Sequence, residues 1–310
     1  MKNKKVGIIG VGNVGSTIAN NLATKAMCSE IVLRDIRMNY TQAMALDISQ
    51  ASNAAKSHTK VVMSKDASDL KGCDIVVITA GIARKPGMSR NDLLLTNNKI
   101  MSSIITDIKD NCPEAILIIV SNPLDAMVYA ALKSSGFNRT KVIGMAGILD
   151  SARMSHYVQE ELGYGAGQIE SSVMGGHGDD MVPLTNYSTV NGICIEKLLS
   201  DEQIKSIVEK TKTGGLEIVK LLETGSAYYA PALGATLMVD AILNNTKKIY
   251  PCAVMLKGEY SHENVVAGVP VMLGCNGVEK IIELDLNKTQ KENFSNSVAS
   301  VRELMHIIDA

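Results

Sequence analysis

A doubly wound parallel α/β sheet, followed by a mixed α+β half, is the architecture this sequence predicts. Three observations carry it. Short apolar runs rich in Val and Ile recur at 5–9, 30–33, 60–63, 74–78, 115–120 and 142–144, with helical stretches such as 94–110 between them. Strands that alternate with helices pair in parallel and have both sheet faces covered. A glycine-rich turn follows the first run. Beyond about residue 146 the alternation gives way to longer helices and less regular strands, one of them at 265–273. The expected division is therefore 1–145 and 146–310, and the lack of a Pro/Ser-rich linker predicts a tight interface between the halves.

At 310 residues the chain can bury a substantial core. Its 31 basic and 32 acidic residues give no electrostatic reason to expect nucleic acid or an anionic membrane as partner. No apolar run approaches the roughly 18 residues of a membrane span. The Lys-rich start imitates a signal peptide, but three glycines and an asparagine break the stretch 6–14 that follows. Six scattered cysteines without a C-x-x-C pair read as reduced thiols rather than metal ligands, so no metal site and a cytoplasmic setting are expected. The sixteen methionines read as core filling.

The first strand runs into Gly10, Val11, Gly12, Asn13, Val14 and Gly15 and then into a helix. Glycines at this spacing give a tight turn, close backbone approach to a pyrophosphate and close helix packing. The helix N-terminus then faces the phosphates. The second strand ends in Arg34 and Asp35, the carboxylate lying 20 positions beyond Gly15. A carboxylate there accepts hydrogen bonds from ribose hydroxyls and repels a 2′-phosphate, which predicts NAD over NADP. Arg34 and Arg37 flank it and soften that preference.

The fourth strand leads into a loop over 79–90 that carries Arg84 and Arg90 beside Pro86 and Gly87. Two guanidinium groups at a strand's carboxyl end suit a small, doubly anionic substrate. The fifth strand closes on Ser121, Asn122 and Pro123, the sixth is followed by Asp150 and Arg153, and glycines flank His177. The last segment places Val298, Val301, Met305 and Ile308 on one helical face.

Taken together, these motifs resemble the lactate/malate dehydrogenase superfamily, and its malate branch most. The resemblance runs from the Gly10 loop through 224–231 and 268–270 to the terminal helix. It implies a Rossmann domain that binds NAD and a homodimer or homotetramer acting on malate and oxaloacetate. Position by position, His177 is implied as the acid/base and Asp150 as its ring partner. Arg153 holds the C1 carboxylate, Arg90 closes over the substrate, Asn122 contacts the reacting oxygen, and Arg84 reads the distal carboxylate. Asn97, Val120, Ser121 and Asn122 match positions that contact the cofactor. Asp180 and Ala227 depart from common relatives, the first by adding a carboxylate and the second by leaving more room.

Four other readings compete. Tyr129 and Lys133 match the Tyr-x-x-x-Lys pair of short-chain dehydrogenases, but that family's glycine pattern is absent. NAD-dependent glycosidases need a metal site and a longer chain. A non-catalytic NAD-binding regulator has no need of His177, Asp150 and Arg153 together. Within the dehydrogenases, the runner-up is a lactate or broad 2-hydroxyacid enzyme.

Overall fold

The computed structural model describes residues 4–83 and 87–310. Six parallel strands occupy the first half: β1 (Lys5–Ile9), β2 (Glu30–Arg34), β3 (Lys60–Met63), β4 (Ile75–Ile78), β5 (Ile116–Ile119) and β6 (Val142–Met145). Their order is β3-β2-β1-β4-β5-β6. Every residue of β4, β5 and β6 is buried, which is why these strands read as unbroken apolar runs. Helices α1 (Asn13–Thr24), α2 (Met38–Ala54), α3 (Arg90–Asn111) and α4 (Leu124–Ser135) cover the two faces. The order reverses between β1 and β4, and a crevice at the strands' carboxyl ends is the consequence.

The second half does not gather its long strands into a separate sheet. Strands β7 (Ile169–Glu170), β8 (Val173–Met174), β9 (Val182–Pro183), β10 (Thr189–Val190) and β11 (Ile193–Cys194) form two small sheets. The long strands β12 (Ile249–Lys257), β13 (Glu263–Gly274) and β14 (Gly277–Ile281) instead extend the first sheet, antiparallel, to nine strands. The join is β6 with β12, Gly144 opposite Ala253 and Met145 opposite Cys252. A Cβ on Gly144 would stand 2.7 Å from Val128 and 2.9 Å from Ala253, so glycine lets strand and helix close here. Around this sheet lie α5 (Gly147–Leu162), α6 (Asp201–Leu222), α7 (Tyr229–Leu243) and α8 (Lys288–Asp309). A second apolar cluster, including Met154, Val158, Met181 and Ile207, fills the space under α5 and α6. No described helix is long and apolar enough to cross a membrane.

Two differences from the sequence reading have local causes. Helix α3 begins at Arg90, four residues before the apolar pattern starts, because Ser89 accepts from the Asp92 N–H and Asp92 accepts from the Ser89 N–H. This reciprocal cap takes Arg90 out of the loop and makes it the first helical residue. Tyr129 and Lys133 both donate to Asp309, at 2.7 Å each, and fasten α8 to α4. That is a structural use, far in the fold from a nucleotide crevice.

Candidate active site

At the crevice the backbone demands glycine twice. Gly10 has φ +93°, and a Cβ there would lie 2.5 Å from the Ala80 nitrogen. A Cβ on Gly15 would overlap the Gly10 carbonyl oxygen. Gly12, the residue before α1, faces open space, and the first turn of α1 has neither an acidic residue nor a side-chain cap. Its N–H groups and helix dipole are therefore available to an anion, which fits a pyrophosphate. The Val11 N–H donates to Asp35 Oδ2 at 2.7 Å, so the carboxylate expected at the ribose also anchors the glycine loop.

Asp35 is held by Arg37 through the backbone N–H and two guanidinium bonds of 3.1 Å, and Arg37 stacks on Tyr40. Burial alone would raise the Asp35 carboxyl, but the bonds from Arg37 and Val11 outweigh it and hold the group below its ordinary range. Arg34 points elsewhere and pairs with Asp107 of α3 at 2.7 Å. Of the two flanking arginines, only Arg37 contacts Asp35. Asp35→Ser is expected to free Arg37 for a 2′-phosphate and narrow the preference for NADH over NADPH about 10–100-fold. The check is kcat/KM with each cofactor, and an unchanged ratio would count against Asp35 as the discriminating group.

The crevice floor is locked by side chains aimed at backbone. Asn97 is buried; its Nδ2 donates to the Ile82 and Asn122 carbonyls at 3.2 and 2.7 Å, and its Oδ1 accepts from the Ile82 N–H. Ser121 Oγ donates to the Ala80 carbonyl at 2.6 Å. These two tie the ends of β4 and β5 together and so shape the wall. Val120 is half-buried, and Asn122 is exposed before a cis peptide bond to Pro123.

His177 lies in the loop that joins antiparallel β8 and β9. Its Nδ1 is 2.8 Å from Asp150 Oδ2, and Arg153 donates to Asp150 Oδ1 at 3.0 Å. Asp150 is 2% exposed, while His177 and Arg153 keep 18% and 16% of their side chains accessible. One buried carboxylate thus orients an imidazole and a guanidinium that both keep partial solvent access. With Nδ1 turned to Asp150, Nε2 is the nitrogen left to meet a substrate. Burial pulls the His177 ring down, but the Asp150 charge and hydrogen bond, with Asp125 behind them, win and raise it above its ordinary value, Arg153 opposing. Arg153 also lies against α6, where a Cβ on Gly215 would stand 3.3 Å from its guanidinium.

Residues 4–144 match the family model of the lactate/malate dehydrogenase NAD-binding domain, and residues 148–309 that of the alpha/beta C-terminal domain. The chain belongs to the lactate/malate dehydrogenase family. Over 309 residues it is 58% identical to a malate dehydrogenase of Aliarcobacter butzleri (strain RM4018), spanning 100% of this chain and 98% of the relative. It aligns with malate dehydrogenase from Cryptosporidium parvum at a TM-score of 0.95 and 40% identity, covering 98% of each chain. It aligns equally well, TM-score 0.95 and 38% identity, with lactate dehydrogenase from Eimeria maxima bound to NADH and oxamate, covering 100% of this chain and 95% of that one. As a member of the lactate/malate dehydrogenase family the chain is an NAD-dependent oxidoreductase. Equal TM-scores to both activities mean that the fold alone does not choose the substrate, whereas the sequence relatives at 46–58% identity are malate dehydrogenases.

Of the substrate residues read from the sequence, Asn122 follows β5 at its carboxyl end, Arg153 pairs with Asp150 on α5, and Arg90 is exposed at the start of α3. Arg84 lies outside the described residues. Asp180 accepts from Ser300 of α8 at 2.7 Å, so that extra carboxylate is tied to the terminal helix. Two residues with a bearing on His177 escaped the sequence reading. Asp125 accepts the His177 N–H at 2.8 Å, and Ser297 accepts the Gly176 N–H at 2.8 Å. The only available signal was that Asp125 follows Asn122 by three positions.

Proposed function

We propose that the chain catalyses the reversible NAD-dependent oxidation of (S)-malate to oxaloacetate. The observation that carries the dehydrogenase chemistry is the linked set His177–Asp150–Arg153, a proton carrier and a carboxylate clamp fixed on one buried acid, and the choice of malate is supported by the malate dehydrogenase relatives at 46–58% identity. NAD, when bound, supplies the hydride acceptor. Gly10 to Gly15, Asp35, and the wall formed by Asn97, Val120 and Ser121 hold it. His177 Nε2 takes the substrate hydroxyl proton, and Asp150 stabilises the imidazolium that results. Arg153 holds the C1 carboxylate with paired hydrogen bonds, Asn122 contacts the reacting oxygen, and Arg90 closes over the substrate.

Arg84 reads the distal carboxylate in this proposal, and its part rests on sequence and resemblance. Shut over pyruvate, that guanidinium has no partner, and an unpaired buried charge costs about 3–5 kcal/mol, or roughly 10²- to 10³·⁵-fold. NADH oxidation with oxaloacetate and pyruvate side by side tests the reading. Oxaloacetate is expected to win by at least about 100-fold in kcat/KM, and Arg84→Gln to shrink the gap. Comparable rates on both substrates would replace malate by a broad 2-hydroxyacid specificity. The same proposal assigns 1–145 to the NAD-binding domain and 146–310 to the substrate and catalytic domain, with Arg84, Arg90 and Asn122 reaching the substrate from the first, in a cytoplasmic homodimer or homotetramer. Exposed apolar side chains on α2, α6 and α7, among them Leu46, Leu221 and Tyr229, support self-association.

A further inference from the structure

Three successive backbone N–H groups in the β8–β9 loop are each gripped by a different element. Gly175 donates to the Gly268 carbonyl of β13 at 2.9 Å, Gly176 to Ser297 Oγ of α8 at 2.8 Å, and His177 to Asp125 Oδ2 of α4 at 2.8 Å. Gly176 eases this: a Cβ there would come 3.0 Å from Val301 of α8. Ser297 is wholly buried and Asp125 is 5% exposed. Among the described residues, the second oxygen of Asp125 is buried without a hydrogen-bond partner.

That unpartnered oxygen needs a reason. A half-satisfied buried carboxylate is costly, and Ser297, one residue along, shows that a neutral oxygen holds such an N–H. What the carboxylate adds is charge. It meets the His177 backbone N–H from α4, while Asp150 meets the ring from α5 and Arg153 pairs with Asp150; the acceptors from α8 and β13 are uncharged.

We propose that Asp125 and Ser297 are positioning residues for His177, Ser297 fixing the loop and Asp125 both fixing it and setting a second buried negative charge against the histidine's backbone. Neither touches substrate; both act through the histidine. Burial, opposed by the His177 N–H and ring, pushes the Asp125 carboxyl up to about 6, with Asp150 adding to the rise. Above that pH Asp125 is ionised and favours the protonated ring, so it raises the pH to which His177 holds its proton. Protonated Asp125 keeps the hydrogen bond and loses this influence.

The inference rests on His177 as the proton carrier, so His177→Asn is measured alongside. The readouts are NADH affinity by fluorescence titration and kcat for oxaloacetate reduction across pH. Asp125→Asn keeps an acceptor for the N–H and removes the charge. It is expected to bind NADH as the wild type does and to move the pH midpoint down by about half a unit or more. Ser297→Ala keeps the charge and loosens the loop. It is expected to leave the midpoint in place and lower kcat about tenfold, since small misplacements of a catalytic group are expensive in rate. An unmoved midpoint in Asp125→Asn overturns the role of the charge, and wild-type kcat in Ser297→Ala overturns the role of the loop anchor. Loss of NADH affinity together with kcat in both variants would mark a purely structural role and overturn both. An active His177→Asn would instead overturn the proposed function itself. If Asp125→Asn does not fold, Asp125→Ser, which keeps a neutral acceptor and removes the charge, is measured in its place, and an unmoved midpoint there overturns the role of the charge.

Discussion

His177→Asn is expected to lower turnover about 10²–10⁴-fold, the usual worth of a general acid/base, with NADH affinity retained. The two effects separate because the groups separate. Cofactor binding is assigned to the Gly10 loop and Asp35, on β1, α1 and β2, whereas His177 stands on the β8–β9 loop. The pH dependence has a definite sign. Reduction of oxaloacetate needs the imidazolium as donor, so its rate falls as pH rises through the folded-state pKa of His177. Oxidation of malate needs the neutral ring, so its rate rises through the same pH. Because the Asp150 and Asp125 charges raise that pKa, the shared midpoint is expected above the ordinary histidine range. Single-turnover rates in both directions measure it. A His177→Asn enzyme with more than about a tenth of wild-type turnover would remove the histidine from the reaction.

Much of the first half was legible because parallel strands buried on both faces leave continuous apolar runs, and β1, β4 and β5 do so. Their carboxyl ends carry the residues that motif spacing picked out. The sheet's extension by β12, β13 and β14 was not legible, since pairing between Gly144 and Ala253 leaves no periodic trace at so great a separation. Side-chain direction was equally hidden. Arg34 and Arg37 look alike around Asp35 in the sequence, yet one turns to Asp107 and the other grips Asp35. Arg90 was misplaced because a cap made by Ser89 and Asp92 starts a helix before its apolar face begins. Asp125 and Ser297 escaped because each acts on a backbone N–H in a segment distant in sequence, where no motif marks the acceptor.

Arg153→Met tests the clamp and carries the second large effect. Arg153 gives one nitrogen to Asp150 and lies against Gly215 of α6, so the side chain is fixed in place before any substrate arrives. Hydrogen bonds to charged groups are worth about 1.5–3 kcal/mol each, so losing a pair costs roughly 10²- to 10⁴-fold in kcat/KM. Both oxoacids carry a C1 carboxylate, so oxaloacetate and pyruvate are expected to lose by similar factors, leaving their ratio near its wild-type value. A second readout follows from electrostatics. The guanidinium lowers the His177 pKa, so its removal leaves the Asp150 charge less opposed and moves the pH midpoint upward. A structural defect at α5 would weaken both substrates without that upward shift. A change confined to oxaloacetate would mean that Arg153 reads the distal carboxylate, and the proposed roles of Arg153 and Arg84 would have to be exchanged.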